Sequence, residues 1–205
     1  MRKINFKRTV SFSALSLVSL LFAQSAIAAT STSTTTISTT VLETISVTCG
    51  ATLALGNLTA GTPVSNTATC TTTTNANGGY DLAVKRDDAD TTIDQTTDAT
   101  TNITDKTAWN SSTPNGATWT GTGLGFRVNQ TGTTAALYNS TWWGANDVAA
   151  ALFAGFPPSY TNIASTSTYS STATDVVIQA RVDVSGTQKS GAYNGTVTFQ
   201  GTSKP

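Results

Sequence analysis

The chain has no histidine anywhere in its 205 residues, and this absence removes more chemistry than any other. Without imidazole there is no Ser-His-Asp or Cys-His nucleophile and no His-ligated metal. Charge is scarce: 11 Lys and Arg face 11 Asp and Glu, and together they make up 11% of the chain. So few cations cannot form the basic surface that nucleic-acid binding needs. Glu43 is the only glutamate, and most aspartates crowd one stretch, so the two separated carboxylates of a glycosidase are not apparent. Asp-Thr-Gly, Gly-x-Ser-x-Gly and Ser-x-x-Lys motifs are also missing. A non-enzymatic protein with no cofactor is the expectation. Long apolar runs are lacking too. The one candidate, residues 10–22, is shorter than the roughly 20 residues a membrane span requires.

That run has the layout of an export signal. Arg2, Lys3, Lys7 and Arg8 precede it, and Ala26-Ile27-Ala28 follows as a small-x-small cleavage site. Residues 1–28 are therefore expected to be a signal peptide. Their removal takes four cations and no acids, leaving a mildly acidic mature chain with no further segment apolar enough to span a bilayer. The expected location is outside the cell, at its surface. Export also gives the two cysteines a meaning: in an oxidising compartment, Cys49 and Cys70 are expected to pair. A disulfide closing a loop of about 20 residues contributes roughly 3 kcal/mol in the chain-entropy picture.

About one residue in five is Thr. Its branched Cβ stiffens the side chain and favours a pleated backbone, while its hydroxyl keeps an outer face wet. Residues 29–40 form a Thr-rich arm, and 41–205 read as a single β-sandwich domain. Alternation begins at Ile37 and places Ile37, Val41, Ile45, Val47 and Cys49 on one face of a first strand. Residues 52–56 suggest a short second strand and residues 66–74 a third. Asn75-Ala76-Asn77-Gly78-Gly79 is a hairpin turn, and Tyr80 to Lys85 alternate again. Two more strands follow near the C-terminus, with Val176, Ile178, Ala180, Val182 and Val184 on one face, then Tyr193, Val197 and Phe199. Many short strands between Gly, Pro and Asn turns predict an all-β, antiparallel, immunoglobulin-like β-sandwich.

Residues 100–171 read as an aromatic-rich insertion. They carry all four tryptophans, a Gly121-Thr122-Gly123-Leu124-Gly125 series that leads into an alternating strand, and one short helix predicted at residues 146–154 with Asn146 as its N-cap. Trp119, Tyr138, Trp142 and Trp143 are candidate platforms for a glycan, since Trp joins a broad apolar face to one donor. The competing reading is packing, because adjacent tryptophans on a strand cannot both point inward. Asp87, Asp88 and Asp90, with Asp94 and Asp98 near them, offer hard oxygen ligands of the kind calcium takes. They lack the spacing and turn glycine of a ligand loop, so a solvated acidic loop is the alternative.

Ile45-Ser46-Val47-Thr48-Cys49, Leu53-Ala54-Leu55-Gly56, Ala60-Gly61-Thr62-Pro63, residues 69–75 and Gly79-Tyr80-Asp81-Leu82 together resemble the opening of secreted bacterial surface proteins: spore coat protein U and its pilin-type relatives. The tail from Gln188 to Phe199 resembles the last strand of those proteins and of WxL cell-wall-binding domains. The Trp-x-Leu motifs of the latter are absent, since Trp119 is followed by Thr120-Gly121 and Trp143 by Gly144-Ala145. The resemblance implies an immunoglobulin-like sandwich, sometimes completed by a donor strand from a neighbouring subunit. In this chain the arm 29–40 would be that strand, or else a loose N-terminus or the protein's own first strand. The expected function is a structural or adhesive surface subunit that self-associates. The alternative is a module that binds a cell-wall or other glycan polymer through the Trp-rich stretch.

Overall fold

A computed structural model describes residues 30–169 and 172–205. The expected signal peptide, 1–28, lies outside the described residues. The chain divides into two compact units, Met1–Thr40 and Val41–Pro205. In the first, residues 30–40 are exposed and form neither helix nor strand.

The second unit is almost entirely β. Its strands are β1 (Ile45–Cys49), β2 (Val64–Thr74), β3 (Tyr80–Arg86), β4 (Ile93–Gln95), β5 (Asp98–Ile103), β6 (Ala117–Thr118), β7 (Gly123–Val128), β8 (Leu152–Phe153), β9 (Thr161–Ser165), β10 (Thr174–Asp183), β11 (Tyr193–Asn194) and β12 (Val197–Ser203). One helical turn, α1 (Ser140–Trp143), lies between β7 and β8. Every strand pairing is antiparallel. One main sheet runs β1-β2-β10-β7, the other β12-β3-β9, and the ribbons β11-β4-β5 and β6-β8 flank them. No helix among the described residues is long and apolar enough to cross a membrane.

The two main sheets form a sandwich because their inward residues fall at every second position. Cys70 on β2, Val176, Ile178 and Val182 on β10, and Leu124, Phe126 and Val128 on β7 meet Tyr80, Leu82 and Val84 of β3 and Ile163 of β9 in one core. Cys49 and Cys70 stand directly opposite each other in the β1–β2 register and are joined by a disulfide.

Several elements differ from the sequence expectation. The β1 ladder begins only at Ile45, while Ile37 and Val41 are 93% and 80% exposed. Residues 52–56 form no strand. Leu53 and Leu55 do alternate inward, but the stretch is tied to β2 through the Asn66 carboxamide, which donates to the Ala54 carbonyl, and has no ladder of its own. The expected helix at 146–154 does not form. Asn146 turns its Oδ1 to the N–H groups of Val148 and Ala150, and Leu152–Phe153 pairs with β6. The short helix stands earlier, where Asn139 caps it by accepting from the Trp142 N–H. The stretch 100–171 is also not set apart from the sandwich, because it supplies β7 to one main sheet and β9 to the other.

Candidate functional site

The edge strands of the main sheets are finished differently. The outer edge of β7 is covered: Leu124 exchanges backbone hydrogen bonds with residues 104 and 106, and Phe126 with Ala154. At the other side, β1 and β12 are the last strands of their sheets, and among the described residues no strand pairs with their outer edges. These two edges approach each other. A Cβ on Gly201 of β12 would lie 2.5 Å from Val47 Cγ2 and 2.9 Å from Ile45 Cδ1, so only glycine lets β1 lean this close. The Ser203 hydroxyl also donates to Glu43.

The inward side chains along this seam are only half buried. Ile45, Val47 and Cys49 on β1, and Val197 and Phe199 on β12, pack on the core with one side open, whereas their counterparts on β2, β3 and β10 are closed off. The seam thus combines unpaired backbone groups with partly exposed apolar side chains, the two features that recruit a further strand. At its entrance the chain is clamped by Asn75, which accepts from the Thr44 N–H and donates to the Leu42 carbonyl through its side chain. Its own N–H donates to the Thr44 carbonyl.

The four candidate aromatics do not form one surface. Trp143 is completely buried, its ring stacked on Trp109 at 4.3 Å and tilted against Phe126 at 5.3 Å. Trp142, next to it on α1, is half buried and meets Trp109 edge-on at 5.4 Å. Tyr138 donates to the Gly144 carbonyl and accepts from Arg127. Burial pushes the Tyr138 phenol up against the downward pull of Arg127. Trp119 stands elsewhere, just after β6, with its ring against β7. There it lies 3.2 Å from the position a Cβ would take at Gly125, between Lys106 Nζ at 4.4 Å and the Arg181 guanidinium at 5.0 Å from its ring centre. Burial depresses the Lys106 ammonium, and nearby Asp183 partly restores it.

The anchor of the α1 region is Arg127, which the sequence reading missed. Its fully buried guanidinium donates to Asp147 at 2.6 Å, to the Trp143 and Asn146 carbonyls and to Tyr138. Burial alone would raise the Asp147 carboxyl. The N–H groups of Thr131 and Gln130, the Thr131 hydroxyl and Arg127 outweigh it and hold the group below the ordinary carboxylate range. Only an isolated Arg in an alternating strand marked this position, and such an Arg reads as solvent-facing. A second buried pair, Arg86 and Asp105 at 3.0 Å, ties β3 to the segment before β6.

The acidic residues do not converge. Asp88 accepts from the Asp90 N–H, Asp90 from Thr91 and Asn102, and Asp87 from the Thr196 N–H. Asp94 accepts from the Thr91 hydroxyl, and Asp98 is held well below the ordinary carboxylate range by Thr100, Lys189 and Thr101. Among the described residues no group of three His, Cys, Asp or Glu is placed to hold a metal ion. Their carboxylates serve as turn caps. Compared with protein families, with curated proteins and with solved structures, the chain finds no match.

Proposed function

We propose that this chain is a non-enzymatic, exported structural protein of the cell surface, with an immunoglobulin-like sandwich that associates with copies of itself by adding a strand along the β1–β12 seam. The observation that carries the reading is the seam itself: two neighbouring sheet edges, both without a strand partner among the described residues, with Ile45, Val47, Val197 and Phe199 only partly buried between them. A fold that covers its β7 edge and leaves this one open has room for an extended segment of another molecule. Main-chain pairing would bind it, and alternate side chains would fill the gap.

The arm 29–40 has the properties of that segment. Residues 30–40 are exposed and unpaired, Thr disposes them to an extended backbone, and Ile37 presents an apolar side chain to solvent. Export is supported by the charged, apolar and small-residue layout of residues 1–28 and by the Cys49–Cys70 disulfide, which persists in oxidising compartments. An arm of one copy paired with the seam of the next makes a head-to-tail contact, which leads to open-ended assembly when the rotation does not close a ring.

The test is size-exclusion chromatography with electron microscopy on the mature chain and on a chain lacking residues 29–40. Concentration-dependent oligomers or fibres from the first, and monomers from the second that regain size only on mixing with full-length protein, support the reading. Monomers from both contradict it.

A further inference from the structure

The pocket beside α1 is the feature that strand addition leaves unused. It measures about 250 Å³ and is walled by Trp142 and Tyr138, with Asn139, Ser140 and Ser165 at its polar side. Three properties set it apart from an incidental surface hollow. First, its aromatic wall is rigidly supported: Trp142 rests on Trp109, Trp109 is stacked on the buried Trp143, and the Trp109 indole N–H donates to the Asn162 carbonyl. Second, Ser165 is held from behind, since its hydroxyl donates to Asp81 and accepts from Lys204, which itself pairs with Asp81 at 3.1 Å. Third, the side chains lining it include no charged group.

We propose that this pocket binds one ring of a neutral saccharide, with a face of the pyranose laid on the Trp142 indole and its hydroxyls directed to Ser140, Ser165 and the Asn139 carboxamide. The apolar C–H face of a sugar ring needs a flat, polarisable partner, and Trp combines that plane with a donor. A few fixed polar groups around an aromatic floor give orientation without charge. The volume lies just below the range of about 300–1,000 Å³ for sites that hold drug-sized ligands, which suits a single ring better than a chain. The lining selects neutral over acidic sugars, because the nearest cation, Lys204 behind Ser165, is already paired with Asp81 and leaves a desolvated carboxylate no free partner. The adjacent tryptophans thereby divide two tasks: Trp143 builds the floor's support, and Trp142 is the floor.

Titration of the mature protein with methyl glucoside, methyl galactoside, methyl mannoside, methyl N-acetylglucosaminide and glucuronate, followed by tryptophan fluorescence and by saturation-transfer NMR, tests this. The expected result is a saturable response to at least one neutral glycoside, with a millimolar Kd and weaker binding of glucuronate. Trp142→Ala should weaken binding at least tenfold, Ser165→Ala by a smaller factor, and Trp119→Ala, placed elsewhere, should leave it unchanged. Matching circular dichroism of the variants with the parent keeps loss of binding separate from loss of fold. No saturable response to any sugar, equal binding by Trp142→Ala, or tighter binding of glucuronate overturns the proposal, as does a response only to aromatic peptides. Since strand addition uses the β1–β12 seam, each of these results stands apart from the oligomerisation test.

Discussion

At the residue scale, Thr does more than clothe the outside of strands. Thr72, Thr74 and Thr174 are buried, and two of them satisfy their hydroxyls locally: Thr74 donates to the Thr44 carbonyl, and Thr174 bonds Tyr80 and the Thr72 carbonyl. A hydroxyl that finds a partner in its own or the facing sheet lets a polar residue fill a core position. This explains how a run such as Thr71 to Thr74, which splits over both faces, is compatible with a folded strand. The buried carboxylate of Asp105 has a different consequence. Burial pushes it up to about 6, even though the Thr92 hydroxyl and the Arg86 guanidinium both favour its charged form. Its native value lies above the unfolded one, so between about pH 4 and pH 6 the native state holds more protons and this group's contribution to stability falls as pH rises. At roughly 1.4 kcal/mol per unit the change is on the order of 3 kcal/mol. Asp105→Asn, which stays neutral at every pH, is expected to flatten that pH dependence and to be more stable relative to the parent at pH 7 than at pH 4. Urea unfolding at pH 4, 5, 6 and 7 checks both parts; a variant with the parent's slope contradicts the assignment.

At the scale of elements, the misplaced helix is the most informative discrepancy. Residues 146–154 contain an Ala-rich stretch behind a good N-cap, which sequence pattern alone reads as helix. A segment this short has little helical stability by itself, so tertiary contacts decide. Here they favour a turn: Arg127 takes the Trp143 and Asn146 carbonyls, and Gly144, at φ 91°, ends α1 where a Cβ would lie 1.7 Å from the Ala150 carbonyl oxygen. These partners lie on β7 and across the loop, so local pattern could not reveal them. The long strands were legible because β2, β3, β10 and β12 alternate over many residues and are bounded by turn signals. The seam was legible only in part, since alternation identifies an inward face and says nothing about whether a neighbour covers it. Two outcomes follow. Arg127→Met should cost on the order of 3 kcal/mol, because the Trp143 and Asn146 carbonyls and the Tyr138 hydroxyl would lose their donor and Asp147 its cation, and should move Trp emission to longer wavelength as α1 loosens. Gly144→Ala should destabilise the protein while leaving its far-ultraviolet β signature intact. Thermal melts followed by fluorescence and by circular dichroism measure both, and unchanged melting in either variant contradicts this account of the loop.

At the scale of the whole molecule, the sandwich covers its β7 edge and leaves the β1–β12 seam open. The Cys49–Cys70 disulfide joins the open edge strand β1 to β2 at the far end of its ladder, opposite the Asn75 clamp at its start. A five-residue edge strand held only by one ladder would fray. The cross-link and the clamp keep it in register, with its outer edge available. Replacing both cysteines by alanine is therefore expected to lower stability by roughly 3 kcal/mol and to reduce self-association more than the stability loss alone accounts for. Chemical unfolding paired with sedimentation of the same samples separates the two effects. Candidate sites were harder to read than the fold because their composition was visible and their grouping was not: the sequence offers four aromatics as one cluster, but Trp119 follows β6 and packs on β7, Trp143 is in the core, and Trp142 lines a pocket with Tyr138. The most direct measurement of the central claim is amide hydrogen exchange on the chain lacking residues 29–40, with and without a synthetic peptide of residues 29–42. Slowed exchange confined to β1 and β12 on adding the peptide is the predicted result; unchanged exchange there, or protection spread over the β7 side, would contradict an open seam that accepts a strand.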